Sequence, residues 1–82
     1  MTDWTEAGGA LHRTFTCHDF TQAFAFMTEV AFAAEAMSHH PEWSNVYNRV
    51  EIKLTTHDAG NTVTDKDRKL ATRIDAIFSR YA

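Results

Sequence analysis

Apolar and polar residues alternate along two parts of the chain, and this alternation predicts β-strands. In the segment 11–18 one parity is apolar except at Arg13, which predicts a strand with one half-buried face. The Gly-Gly pair within 6–11 predicts a turn between this strand and a short segment around Trp4. The segment 44–57 has the strand period of two as well, so strand structure is expected there.

A different spacing, with apolar residues three or four positions apart, begins at Phe20 and predicts an α-helix of about 18 residues. Asp19 followed by Gln22 is a capping-box pattern at its start, and Pro41 stops it. The predicted inner face consists of Phe20, Ala23, Phe24, Met27, Val30, Ala31, Ala34 and Met37. A second stripe of Phe26, Val30, Ala33 and Met37 widens this face. The helix is therefore either deeply buried or in contact with another subunit.

A last helix is predicted after a loop at 58–61. Thr64 and Asp67 have the spacing of another capping box. The expected inner stripe is Leu70, Ile74, Ile77, Phe78 and Tyr81. The element order is then β-β-α-β-β-α in a single domain over residues 1–82. This order predicts an α+β fold, in which an antiparallel sheet is covered on one face by helices.

Composition restricts the environment and the partners of this chain. The net charge of -3 and the scattered Lys and Arg residues argue against direct nucleic-acid binding. The first residues lack a signal-peptide pattern, and polar residues interrupt the apolar run of 20–37. We therefore expect a cytoplasmic protein with no membrane partner. Because Cys17 is the single cysteine, no disulfide supports the small core, and a homodimer or homotetramer is expected.

The chain has five histidines, and their positions suggest different roles. His12 and His18 fall on the polar side of the predicted second strand, where a solvated surface histidine is expected. His39, His40 and His57 each fall where a regular element ends, and sites are often assembled at such positions. The pair at 39–40, followed by the only proline, is also compatible with an ordinary turn that ends a helix.

These three histidines and Cys17 suggest three kinds of chemistry: metal binding, nucleophilic catalysis and general acid–base catalysis. A zinc site is disfavoured because the H-E-x-x-H spacing is absent and adjacent rings seldom converge on one ion. Nucleophilic catalysis is disfavoured because Cys17 lies within a predicted strand, where a buried structural thiol is expected. General acid–base catalysis fits best, since imidazole exchanges protons near neutral pH. Glu35 lies four residues before His39, one helical turn away, and is expected to orient that ring.

The combined spacing of the polar residues resembles the signature of the pterin-4a-carbinolamine dehydratase family. Its members here are Glu35, His39-His40-Pro41, Tyr47, His57 and Asp67. The blocks HDFTQAFAFMTEVA, HHPEWSNVYNRVEIKLTTH and TDKDRKLA also resemble family segments, so the likeness spans roughly residues 4–80. The resemblance implies a four-stranded antiparallel sheet with helices on one face. It also implies dehydration of 4a-hydroxytetrahydropterin to quinonoid dihydropterin, in tetrahydrobiopterin recycling, without a metal or prosthetic group.

The resemblance also implies roles for individual residues. His39 and His57 are expected to act as the acid–base pair, with Glu35 supporting His39. His40 is expected to hold and polarise the pterin. Asp67 is expected either to support the site or to serve only as a helix cap. Pro41 and Trp43 are expected to contact the substrate, Trp43 by stacking, whereas Tyr47 is expected in the core.

Two other functions remain open at this point. Some animal members of the family serve as dimerisation cofactors of a homeodomain transcription factor, so a non-enzymatic protein-binding role is conceivable by analogy. Alternatively, the pterin chemistry serves a pathway other than aromatic amino-acid hydroxylation. Family members often carry a helix ahead of the first strand. Only three residues precede Trp4 here, so that helix is expected to be missing.

Overall fold

The computed structural model describes residues 3–81, and its elements follow the predicted order. The strands are β1 (Thr5–Ala7), β2 (Ala10–Thr16), β3 (Glu42–Val46) and β4 (Arg49–Leu54). The α-helices are α1 (Phe20–Ala36) and α2 (Asp65–Phe78), and a single 3-10 turn covers His57–Ala59. The strands form one antiparallel sheet in the order β1-β2-β4-β3. The predicted α+β fold, with helices on one face of a four-stranded sheet, is confirmed.

Two tight turns close the outer hairpins of the sheet. Gly8 and Gly9 join β1 to β2, and both have positive φ, as a two-residue hairpin loop of the favoured type requires. Tyr47 and Asn48 join β3 to β4, so the segment 44–57 contains the end of β3 and the whole of β4. Tyr47 has φ +51 and is 63% exposed at the tip of this turn. Its predicted core position is therefore wrong, because the chain reverses at Tyr47 instead of continuing as strand.

Helix α1 begins as predicted and buries a narrower face than predicted. The Asp19 carboxylate accepts a hydrogen bond from the backbone N–H of Gln22 at 2.8 Å, while the Gln22 side chain accepts from the N–H of His18. The buried residues are Ala23, Phe26, Val30, Ala33 and Ala34. Phe20 and Phe24, which were predicted to face inward, are exposed. The buried face therefore combines Ala23 and Ala34 of the first predicted stripe with Phe26 and Ala33 of the second, and Val30 belongs to both.

The core lies between the helices and one face of the sheet. The rings of Phe15 on β2 and Phe26 on α1 are 5.0 Å apart, and each also contacts Phe78 of α2. Val50, Ile52 and Leu54 of β4 are buried beneath them, whereas the alternate residues of β4 are exposed on the open face. Cys17 is buried, as expected of a structural thiol, and this burial, with Asp19 nearby, raises its pKa.

Arg13, the exception in the alternation of β2, belongs to a polar cluster at the edge of the core. Its guanidinium lies 4.3 Å from the centre of the Phe15 ring and donates to Oδ1 of Asp75 on α2 at 2.7 Å. The indole N–H of Trp4 donates to the same oxygen at 2.8 Å. Because one carboxylate connects β2, α2 and the segment before β1, Arg13 is compatible with a half-buried position. Among the helices of residues 3–81, none is long and apolar enough to cross a membrane.

Candidate active site

After the end of α1, the side chains of two adjacent histidines point in different directions. Met37 caps the helix, and Ser38 then takes a left-handed conformation with φ +51. The backbone N–H of His39 still donates to Ala34 O at 3.1 Å, which holds the turn against the last helical residues. From this turn, the side chain of His39 reaches α2, whereas that of His40 turns back toward α1.

His39 is held by a buried carboxylate. Its Nε2 lies 2.5 Å from Oδ1 of Asp67, which is 0% exposed. The other oxygen of Asp67 accepts from the Thr56 hydroxyl at 2.7 Å and from the backbone N–H of Thr64 at 2.9 Å. Burial raises the pKa of Asp67, but the hydrogen bonds from His39, Thr64 and Thr56 together outweigh it and lower that pKa below its ordinary value. Asp67 is therefore an ionised carboxylate at neutral pH.

Asp67 makes contacts of both kinds that the sequence left open, as a helix cap and as the partner of a histidine. Its bond from the N–H of Thr64 is the return half of the predicted capping box at the start of α2. Its bond to His39 uses the opposite carboxylate oxygen. One side chain thus caps a helix and orients a histidine at the same time.

Glu35 pairs with His40 rather than with His39. Oε1 of Glu35 lies 2.9 Å from Nε2 of His40, and both side chains are largely exposed. The predicted support of His39 by Glu35 is therefore wrong. The prediction assumed that the helix continues to His39. However, α1 ends at Ala36, and the left-handed residue that follows rotates His39 away from the face that carries Glu35.

His57 opens the 3-10 turn that follows β4 and has two polar neighbours. Its Nδ1 lies 2.7 Å from Oδ1 of Asn61, so the ring N–H donates to the amide oxygen. Its Nε2 lies 4.0 Å from a carboxylate oxygen of Glu42, the first residue of β3. The imidazole thus has a neutral acceptor on one side and an acidic group on the other.

All three histidines line one cleft of about 360 Å³. The volume lies in the lower part of the range of roughly 300–1,000 Å³ that is typical of small-molecule sites. The other lining residues are Ser38, Pro41, Glu42, Thr55, Thr56, Asp58 and Lys66. The turn after α1, the loop after β4 and the first turn of α2 therefore meet at a single opening.

Comparison with known proteins identifies the family of the chain. A family model described as Pterin 4 alpha carbinolamine dehydratase matches residues 1–77. The chain belongs to this family.

Individual relatives support the assignment to the pterin carbinolamine dehydratases. A protein of Solibacter usitatus is 58% identical over 74 residues, covering 90% of this chain and 77% of its own length. A protein of Synechococcus sp. strain WH7803 is 58% identical over 77 residues, covering 94% of this chain and 82% of its own length. Both are provisionally named pterin-4-alpha-carbinolamine dehydratase.

Two solved structures share the fold. A transcriptional coactivator/pterin dehydratase from Brucella melitensis matches with a TM-score of 0.86 and 44% identity, covering 92% of this chain and 81% of its own. A pterin dehydratase-like protein, described as a RuBisCO assembly factor in the alpha-carboxysome, matches with a TM-score of 0.78 and 26% identity. That match covers 92% of this chain and 88% of the other. Proteins with this fold thus carry descriptions of more than one function.

The dehydratase-family chain has a second recess beside the histidine cleft. Its volume is about 550 Å³, and it lies between α1 and the start of β3. Pro41 and His40 line both openings, whereas half-buried Trp43 lines the recess and is absent from the cleft lining. Trp43 also packs against the hydrophobic core. Stacking of Trp43 on a substrate therefore stays a prediction.

Three residues near the histidines were not singled out from the sequence. Glu42 directly follows Pro41, and Lys66 directly precedes Asp67, but neither has a spacing that distinguishes it from a surface charge. Asn61 lies four residues after His57, in a loop whose course periodicity does not specify. Among residues 3–81, no group of three or more His, Cys, Asp or Glu side chains is arranged to hold a metal ion. His12 and His18 are exposed, as expected of surface histidines.

Proposed function

We propose that this protein dehydrates 4a-hydroxytetrahydropterin to quinonoid dihydropterin and water by histidine acid–base catalysis. The observation that carries the proposal is the convergence of His39, His40 and His57 on one cleft, each with its own hydrogen-bond acceptor. Membership of the pterin carbinolamine dehydratase family supplies the substrate class. The proposal includes a role in tetrahydrobiopterin recycling and a cytoplasmic location.

The reaction requires two proton transfers at neighbouring atoms of the pterin. The bond between C4a and the hydroxyl oxygen breaks, and a proton delivered to that oxygen lets it leave as water. The lone pair of N5 forms the new C4a=N5 double bond, and the proton on N5 is removed. Imidazole groups suit both transfers because they are near half-protonation at neutral pH when unperturbed.

The proposal assigns the acid–base pair to His39 and His57 and substrate binding to His40. When His39 is neutral, donation from Nε2 to Asp67 leaves Nδ1 as the unprotonated ring nitrogen. His40, held by exposed Glu35, lies between the cleft and the apolar recess, where it can contact the flat pterin from its edge. Pro41 and Trp43 are proposed to contact the ring from the recess.

The first test is a direct assay. The carbinolamine is generated in situ, and its dehydration is followed with and without the protein and with and without a chelator. We expect acceleration that the chelator leaves unchanged. No acceleration over the spontaneous rate would refute the dehydratase proposal, whereas loss of activity with the chelator would refute its metal-free form.

The second test assigns the histidines. We expect His39→Ala and His57→Ala each to lower kcat by about 10²- to 10⁴-fold, the usual contribution of a positioned acid or base. His18→Ala removes an exposed histidine that does not line the cleft, so it is the matched control and should keep the parental rate. Near-normal turnover by either cleft variant would remove that residue from the mechanism.

A second candidate function is binding of a protein partner. The specific observation is a set of exposed phenylalanines on α1, Phe20, Phe24 and Phe32, which are 50%, 58% and 74% exposed. The B. melitensis relative is described as a coactivator as well as a dehydratase, which makes such a role chemically reasonable here. If the protein fails to accelerate dehydration, this binding function becomes the favoured one.

A further inference from the structure

We infer that Asn61 is a positioning residue that selects the tautomer of His57 and leaves its Nε2 free as the proton-accepting atom in the cleft. The catalytic part of this inference rests on the proposed function. The structural part, that Asn61 controls the tautomer of His57, does not depend on the proposed function. The carrying observation is the 2.7 Å contact between Nδ1 of His57 and Oδ1 of Asn61.

The backbone around Asn61 is held on both sides. The N–H of Asn61 donates to Thr56 O at 3.1 Å, and the N–H of Gly60 donates to His57 O at 3.0 Å. The carbonyl of Asn61 packs so closely against Gly9 of the β1–β2 turn that any side chain at Gly9 would overlap it. The amide of Asn61 is therefore presented to His57 from a backbone that neighbouring segments fix.

Asn61 also satisfies a backbone requirement at this position. Its φ is +59, in the left-handed region, which asparagine adopts more readily than most residues with a side chain. A glycine would adopt the same conformation at no steric cost. The backbone alone therefore does not require a side chain here, whereas the contact with His57 requires a side-chain oxygen acceptor.

The hydrogen bond to Asn61 determines which ring nitrogen of His57 is free to accept a proton. A neutral imidazole carries one proton, and the hydrogen bond made by one nitrogen decides the tautomer. Donation from Nδ1 to Asn61 leaves Nε2 with a free lone pair. Nε2 lies on the side of Glu42, 4.0 Å from its carboxylate, and both residues line the cleft. The unprotonated nitrogen is thus the one on the side of the cleft-lining carboxylate.

Two substitutions separate this role from that of a turn residue. Asn61→Gly keeps the left-handed backbone and removes the acceptor. Asn61→Asp keeps both a residue tolerant of that backbone and an oxygen acceptor at the same position. If Asn61 only shapes the turn, His57 should have the same tautomer in both variants. If Asn61 positions the ring, only Asn61→Gly should change the tautomer.

The experiment is ¹⁵N NMR of the histidine side chains in the full chain, without substrate, at a pH of about 9, where unperturbed imidazoles are neutral. His57→Gln identifies the His57 signals by their loss. We expect the parent and Asn61→Asp to show His57 protonated at Nδ1, and Asn61→Gly to shift toward protonation at Nε2. Thermal unfolding confirms that all variants fold. A parental tautomer in Asn61→Gly, or the same spectral change in both variants, would overturn the inference.

Steady-state kinetics of the same variants test the catalytic part of the inference. We expect Asn61→Gly to lower kcat about 3- to 10-fold with little change in KM, the size expected for loss of one hydrogen bond, and Asn61→Asp to restore most of it. Unchanged kcat in Asn61→Gly, although its tautomer has shifted, would overturn the catalytic part. If the parent has no dehydratase activity, the proposed function fails, while the spectra still decide whether Asn61 controls the ring.

Discussion

At the scale of single residues, Asp67 has the largest influence on the site because it is completely buried and accepts three hydrogen bonds. We predict that Asp67→Asn lowers the free energy of unfolding by about 2 kcal/mol, since each bond to a charged acceptor is stronger than a neutral one and the amide introduces unmatched donors. We also predict that kcat for dehydration falls by about 10²-fold, because His39 loses its orientation.

Asp65→Asn is the matched control for this substitution. Asp65 also lies in the first turn of α2 but is exposed, so its neutralisation should change stability by less than about 0.5 kcal/mol. Denaturant unfolding and the dehydration assay measure both variants. Equal effects of the two substitutions would show that charge near the helix start, and not the contact with His39, is what matters.

The lowered pKa of Asp67 makes its contribution to stability depend on pH. Because the folded pKa lies below the ordinary value of 3.8, the carboxylate stabilises the fold fully above that value and loses this contribution as pH falls through the folded pKa. The difference in unfolding free energy between the parent and Asp67→Asn should therefore shrink as pH falls below 3.8. A difference that stays constant down to pH 2 would contradict the contacts described for Asp67.

The residue scale also shows where sequence reasoning succeeds and where it fails. His39 and His57 were nominated by their positions at the ends of regular elements, and the resemblance to the dehydratase signature added Asp67. All three lie at or directly behind one cleft. The partner of His39 was wrong because a single left-handed residue, Ser38, separates it from the helix that carries Glu35. Local backbone reversals of this kind have no period, so pattern analysis does not detect them.

At the scale of elements, the β1–β2 hairpin supports the loop that carries His57. Gly9 contacts the backbone of Asn61, and Thr55 donates from its hydroxyl to Gly9 O at 2.8 Å. The sequence predicted the turn from its Gly-Gly pair, but it did not predict what the turn packs against. That contact links residues about 50 positions apart, and the pairing of β2 with β4 in the sheet brings them together.

We predict that Gly9→Ala destabilises the protein by about 3 kcal/mol or more and also lowers dehydratase activity. The new methyl group overlaps the carbonyl of Asn61, and φ +78 is unfavourable for alanine, so the hairpin and the His57 loop must separate. Gly8→Ala is the matched control. Its φ of +59 carries a backbone cost of about 1–2 kcal/mol, but its added methyl meets open space.

Thermal unfolding and kcat measured on both glycine variants test this support. The expected pattern is a moderate loss of stability with normal kcat for Gly8→Ala, and a larger loss with reduced kcat for Gly9→Ala. Normal kcat in folded Gly9→Ala would mean that the His57 loop keeps its geometry without the hairpin.

At the scale of the whole molecule, the fold was largely predictable because the core depends on periodicity over long elements. Alternation in β2 and β4 and the helical spacing in α1 and α2 led to the correct order and the correct layers. The face of α1 was less predictable, since apolar residues surround most of the helix. Phe26 is buried and Phe32 is 74% exposed, although both are phenylalanines on one helix. Composition alone does not decide which apolar stripe faces the sheet.

The exposed phenylalanines of α1 lead to the last prediction, which concerns assembly. A chain of 9.3 kDa with Phe24 and Phe32 on its surface is expected to cover them in a dimer or tetramer. Light scattering at micromolar concentration should then give a mass of two or four times 9.3 kDa.

The double variant Phe24→Glu/Phe32→Glu should shift toward lower mass, because a charge at an apolar contact is costly to bury. Thr72→Glu, which adds a charge to the exposed face of α2, is the control and should keep the parental mass. A parental chain that is monomeric under these conditions would contradict the prediction, and the exposed face of α1 would then be available to a different protein partner.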